Sequence, residues 1–168
     1  MLGDETHRYL IAFGSNQRHH RHGSPRQLID AAVDALRDAG VEIQAVAPVI
    51  ETAPLGPSAR RFCNGAAVVE TRLDPEGLLG VAKNIERKFG RRSGGQAWRA
   101  RVIDIDIVLW GGGVWSSDVL IVPHPRFRER SFVLQPVKAI APEWRDPLTG
   151  LSVKQLHARL TKPRPATR

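Results

Sequence analysis

The chain has 168 residues, 42% of them hydrophobic and 25% charged, enough for one globular domain with a substantial core. Its 25 Lys and Arg against 17 Asp and Glu leave a formal charge of +8, which favours anionic partners. A single cysteine, Cys63, excludes an internal disulfide; with no secretory leader and no apolar run near the roughly 20 residues of a bilayer span, the expectation is a soluble cytoplasmic protein.

Arg8–Phe13 is a short apolar run ended by Gly14-Ser15-Asn16, a strand and its turn. The polar stretch Gln17–Gly23 carries His19, His20 and His22. Without helical or strand spacing to aim them at one metal, a solvated loop is expected there. Ser24 and Pro25 open a helix whose face carries Leu28, Ile29, Ala32, Val33 and Leu36, and Gly40 closes it. Val41–Thr52 reads as a second strand, Ala53–Arg61 as a loop and Phe62–Thr71 as a third strand. Asp74 and Pro75 open a second helix with Leu78, Leu79, Ala82, Ile85 and Phe89 on its stripe, closed by Gly90. A basic loop, Arg91–Ala100, leads to a fourth strand, Val102–Trp110.

The order β-α-β-β-α-β predicts an α+β, ferredoxin-like fold, an antiparallel sheet with both helices on one face. A C-terminal extension adds two short strand-like pieces, Pro123–Arg130, a helical Phe132–Ile140 and a last helix capped by Ser152. Residues 1–160 are expected to form one domain and 161–168 a disordered tail.

Asp104-Ile105-Asp106 is the strongest chemical signal. Period-two geometry puts both carboxylates on one strand face, about 6.5–7 Å apart, with Ile103, Ile105 and Ile107 in the core. Such a pair can hold two Mg²⁺ ions about 4 Å apart that take further ligands from water and phosphate. An isolated D-x-D is more often a solvated pair, but Arg91, Arg92, Arg99 and Arg101 just upstream suit polyphosphate chemistry. His124 lies on a stiff backbone between Pro123 and Pro125, followed by Arg126, Arg128 and Arg130. Phe62 and Asn64 share a strand face and could stack on and read a flat heterocycle, although core packing of Phe62 is the simpler expectation. Cys63, of opposite parity, is expected in the core.

Five ordered blocks resemble the 6-hydroxymethyl-7,8-dihydropterin pyrophosphokinase family of folate biosynthesis. They are Phe13-Gly14-Ser15-Asn16, Thr52-Ala53-Pro54-Leu55-Gly56, Phe62-Cys63-Asn64, Glu86 through Gly90-Arg91 to Arg101–Asp106, and Pro123–Arg126 to Arg130–Leu134. The resemblance implies transfer of pyrophosphate from ATP to the pterin hydroxymethyl oxygen, with release of AMP. It implies two Mg²⁺ ions on Asp104 and Asp106, and Arg91 and Arg101 as catalytic arginines on a closing loop. ATP contacts are implied from Glu86, Trp98, Arg101, Ile107, His124 and Arg130. The pterin is implied to stack between Phe62 and Phe132, with Asn64, Thr52, Ala53, Pro54 and Leu55 reading its edge. The expected partners are these two small molecules, with no nucleic acid or membrane, and the expected state is a monomer. Two rival readings remain at this stage. An RNA-binding module shares the element order but would need stacking motifs missing here. A nucleotidyl transferase would use similar carboxylates and is separated by its products.

Overall fold

The computed structural model describes residues 4–16, 19, 21–52, 62–90, 102–163 and 165. Its strands are His7–Ser15 (β1), Glu42–Val46 (β2), Ile50–Thr52 (β3), Phe62–Thr71 (β4), Asp104–Trp110 (β5), Trp115–Ser116 (β6) and Ile121–Val122 (β7). The helices are Pro25–Asp38 (α1), Pro75–Gly90 (α2), Ser131–Ile140 (α3) and Val153–Thr161 (α4), with a 3₁₀ turn at Phe127–Glu129. The main sheet runs β2-β4-β1-β5, with β3 also on β4. Every pairing in it is antiparallel, which makes the fold α+β.

Helix ends fall where the punctuation predicts. Ser24 accepts the Gln27 N–H while the Gln27 side chain returns to the Ser24 N–H, with Pro25 in the first helical position. Ser152 and Gln155 repeat this box at α4. Asp74 accepts the Gly77 N–H at the start of α2. Each such cap contributes about 1 kcal/mol. At the end of α1, Gly40 has φ 86°, a region that disfavours side chains. Its N–H reaches Arg37 O and that of Val41 reaches Leu36 O, closing the last turn.

The second strand expected over Val41–Thr52 is two strands. Ala47–Val49 separates them, and Pro48 at the break has no N–H for the ladder. The fourth begins at Asp104 rather than Val102.

Alternation along β1 sends Tyr9, Ile11 and Phe13 into a core with α1 and α2. Leu10 and Ala12 face a second core with α3 and α4, so both sheet faces are covered. In β5 the register against β1 slips at Val108, which stands as an extra residue between Ile107 and Leu109. Val108 and Leu109 therefore both enter the α3/α4 core while Ile105 and Ile107 enter the other. Among the described residues, no helix is long and apolar enough to cross a membrane.

Candidate active site

Asp104 and Asp106 emerge from β5 with Ile103, Ile105 and Ile107 buried at 3% exposure or less between and beside them. The register sets Gly14 opposite Asp104 on one side and opposite Asn64 on the other, and Ala12 opposite Asp106. Cross-strand partners project from the same face, so Asn64, Gly14 and Asp104 form a row with a bare centre. The side chains beside this floor rise as walls. A cleft of about 270 Å³ results, lined by Ala12–Asn16, Phe62, Asn64, Asp104, Asp106, Arg130, Phe132 and Val133.

Six residues named from sequence thus meet in one cleft: Phe62, Asn64, Asp104, Asp106, Arg130 and Phe132. Phe62 is not the core residue that simple packing predicts. It is 41% exposed and Phe132 36%, two large apolar rings left at the cleft instead of in a core. Cys63, one residue on, is buried as expected, and burial pushes its thiol pKa up. Asn64 is buried and donates from Nδ2 to Thr52 Oγ1 at 3.3 Å, which fixes its amide at the cleft wall and ties Thr52 to the site. The Arg130 guanidinium lies 5.7 Å from the Phe132 ring centroid.

His124 sits beside the carboxylates rather than in the cleft lining. Its N–H donates to Val108 O at 3.0 Å, so the bulge in β5 anchors the histidine loop. Burial, with Arg130 and Arg126 nearby, holds its imidazole pKa below the usual histidine value against the opposing pull of Asp106. Nδ1 accepts the Arg126 N–H at 3.1 Å, so a neutral ring carries its proton on Nε2, as a donor for an anion.

Glu86, on α2, has both oxygens engaged: Oε1 accepts the Ile105 N–H at 2.8 Å and Oε2 lies 3.2 Å from Lys83 Nζ. Ile107 keeps its side chain in the α1/α2 core, so only its main chain is left to meet a nucleotide. Ala53, Pro54, Leu55, Arg91, Trp98 and Arg101 lie outside the described residues.

The expected solvated histidine loop takes a different form. His19 is 8% exposed, its Nδ1 accepts the N–H groups of Arg21 and His22, and the His19 and His22 rings pack against Phe89 of α2. His20 lies outside the described residues.

Ala12 and Gly14 were not singled out for the site by sequence reasoning. Their signal is smallness at alternate positions of a strand whose residues from His7 to Phe13 are otherwise large, which leaves room above the sheet. The carboxylates offer hard oxygen donors facing an open cleft, a set that suits Mg²⁺ carrying waters and phosphate oxygens. Among the described residues no group of three or more His, Cys, Asp or Glu could hold a metal ion by itself.

Residues 10–142 match the family model for 7,8-dihydro-6-hydroxymethylpterin-pyrophosphokinase. The chain is 38% identical over 142 residues to the 2-amino-4-hydroxy-6-hydroxymethyldihydropteridine pyrophosphokinase of Pseudomonas aeruginosa, covering 83% of this chain and 84% of that protein. A protein of the same name from Synechocystis is 34% identical over 118 residues, covering 70% of this chain and 60% of that one. The crystal structure of wild-type Plasmodium falciparum HPPK-DHPS superposes with a TM-score of 0.73 at 14% identity, over 94% of this chain and 42% of that chain, a likeness of fold. With the matched segment running from β1 through α3, and with relatives of that one name at 34% and 38% identity, the chain belongs to the 7,8-dihydro-6-hydroxymethylpterin-pyrophosphokinase family, diphosphate-transferring enzymes of folate biosynthesis.

Proposed function

We propose that this chain transfers the terminal pyrophosphoryl group of ATP to the hydroxymethyl oxygen of 6-hydroxymethyl-7,8-dihydropterin, releasing AMP, on a ferredoxin-like scaffold. One observation carries the reading: two strand carboxylates, a fixed amide and two exposed phenyl rings share a single cleft. In the reaction the acceptor oxygen attacks the β-phosphorus, the bond from that phosphorus to the oxygen bridging to the α-phosphate breaks so that AMP leaves with that oxygen, and the hydroxyl proton passes to water.

Phe62 and Phe132 take the flat pterin between them, and offset stacking of such rings contributes about 0.5–1.5 kcal/mol beyond burial. Asn64, held by Thr52, reads the heterocycle edge, as would the main chain of Ala53, Pro54 and Leu55. Asp104 and Asp106 would hold two Mg²⁺ ions, which would supply charge neutralisation for the phosphates and a lower pKa for the acceptor hydroxyl. Arg130, beside the Phe132 ring, and the Nε2–H of His124 meet the triphosphate. By family resemblance Arg91, Trp98 and Arg101 complete the nucleotide site, with Arg101 as the principal charge stabiliser. Positioning and fixed charge dominate such a reaction, because the protein makes no covalent bond to substrate.

The test is nucleotide product analysis with ATP, Mg²⁺ and protein, with and without the pterin. AMP forming only when pterin and metal are both present supports the assignment. Free pyrophosphate with a nucleotidylated pterin would make the enzyme a nucleotidyl transferase, and no pterin-dependent AMP would sink the proposal. Asp106→Ala should retain the fold by circular dichroism and lose at least about 10³-fold in turnover, the scale for an interaction made chiefly in the transition state.

A further inference from the structure

We infer that Glu86 is a positioning residue for the metal-binding carboxylates, acting through the backbone of β5 rather than on the nucleotide. The inference rests on the reading of Asp104 and Asp106 as metal ligands.

Strand β5 is the last in the order β2-β4-β1-β5, so the N–H groups on its outer side have no strand partner in that sheet. Ile105, between the two aspartates, turns its N–H to that outer side. The acceptor is Glu86 Oε1 at 2.8 Å, across 19 residues of sequence. The Glu86 side chain is 10% exposed and Lys83 Nζ holds its second oxygen at 3.2 Å, so the carboxylate is fixed between a helix cation and a strand amide. A hydrogen bond from an amide to a carboxylate is charge-assisted and stronger than one to a neutral oxygen.

A second strut lies just before it. Ser15 is buried at the end of β1 and donates from Oγ to Val102 O at 2.7 Å. The stretch carrying Asp104 is thus pinned on both sides, at Val102 and at Ile105. Beyond Ile105, the ladder to β1 fixes Asp106 opposite Ala12. Two carboxylates that must share ions a few ångströms apart tolerate little rotation of their strand, and losing an outer support of metal ligands typically costs 10–100-fold in affinity. A carboxylate already committed at both oxygens is poorly placed to reach a nucleotide as well.

Glu86→Gln keeps an oxygen of the same reach for the Ile105 N–H. Glu86→Asp falls one methylene short of it, and Glu86→Ala removes the acceptor. Two readouts separate the roles without turnover. One is hydrogen exchange of the Ile105 amide by NMR in the intact protein. The other is Mn²⁺ affinity in the presence of α,β-methylene-ATP, followed by water-proton relaxation. In Glu86→Ala and Glu86→Asp, Ile105 exchange should rise at least about 10-fold and Mn²⁺ affinity fall about 10-fold or more. Glu86→Gln, which keeps the acceptor oxygen but not its charge, should change less than either of these on both readouts. Should Glu86→Ala fail to fold, Glu86→Asp carries the comparison. If all three variants lose affinity for the nucleotide analogue while Ile105 exchange and Mn²⁺ affinity stay at wild-type values, Glu86 touches the nucleotide and the inference is overturned. If the wild-type protein takes up no Mn²⁺ with the analogue, the metal reading itself has failed, and the inference falls with it.

Discussion

Arg128 lies inside the 3₁₀ turn and Arg130, two positions on, just past its end. The Arg128 guanidinium donates from Nε and Nη2 to the two oxygens of Asp146 at 2.6 and 2.8 Å, a bidentate pair. Asp146 is 0% exposed and also accepts the Leu148 N–H at 3.0 Å and the Thr149 hydroxyl at 2.7 Å. The Arg130 guanidinium instead borders the cleft beside the Phe132 ring, and among the described residues no carboxylate forms an ion pair with it. The same side chain chemistry thus has opposite settings. Where every lone pair of the carboxylate is answered, the arginine is a rivet between the turn at 145–151 and the base of α3. Where the cation faces an open cleft next to carboxylates, it is available to an anion that is not part of the fold. An arginine count alone therefore says little about the +8 charge; what matters is which cations the fold has already matched.

Removing each arginine should break a different property. Arg128→Ala leaves the buried Asp146 carboxylate without its cation, a loss of about 3–5 kcal/mol. For a domain of this size that lowers Tm by roughly 6–20 °C. Turnover per folded molecule, measured well below the transition, should stay near wild type. The double variant Arg128→Met with Asp146→Leu removes both charges and should recover much of the loss, because the single variant is penalised mainly for the orphaned charge. A double variant as unstable as the single would show that the turn needs the hydrogen bonds themselves. Arg130→Met should do the reverse: denaturation unchanged within about 0.5 kcal/mol, but ATP turnover efficiency down about 10–100-fold, the scale of one charge-assisted contact. Equal melting losses for the two variants would erase the distinction between rivet and ligand.

The parts of this arrangement that the sequence displays are the local ones. Ser24-Pro25, Asp74-Pro75 and Ser152 announce helix starts because a cap satisfies backbone donors within three residues. β4 is found at both ends, Phe62 and Thr71, and the parity of Asp104 and Asp106 follows from strand geometry. What stays hidden is which face matters. In β4 the run Ala66-Ala67-Val68-Val69 is apolar at every position because α1/α2 cover one face and α3/α4 the other, so alternation carries no polar-outward signal. Phe62 consequently looks like one more core residue, although it lines the open cleft and is exposed. The slip at Val108 likewise leaves no mark in a run of Ile, Val and Leu. Glu86 with Ile105 and Arg128 with Asp146 are contacts at 19 and 18 residues' separation, set by how a helix or turn docks. A docking angle is a property of the packed core, and no short motif encodes it.

The smallest expected effect sharpens the comparison through protons. Burial by itself would push the Asp146 carboxyl pKa up, but the hydrogen bonds from Arg128, Thr149 and the Leu148 amide outweigh it and hold the group below the usual carboxylate range. The unfolded chain therefore takes up this proton first as pH falls. The stability contributed by the pair is complete above the ordinary aspartate value near 3.9 and is lost as pH drops through the lower folded value. Urea midpoints of wild type and of the Arg128→Met/Asp146→Leu double variant should thus keep a constant difference from about pH 7 to about pH 5. Below about pH 4 the difference should shift against the wild type. His157, held below its usual value by burial and by Lys138, titrates in both proteins and cancels from the difference. A shift that begins instead near pH 6 would assign the effect to a histidine coupled to the pair, and the rivet would not be the isolated device that its geometry describes.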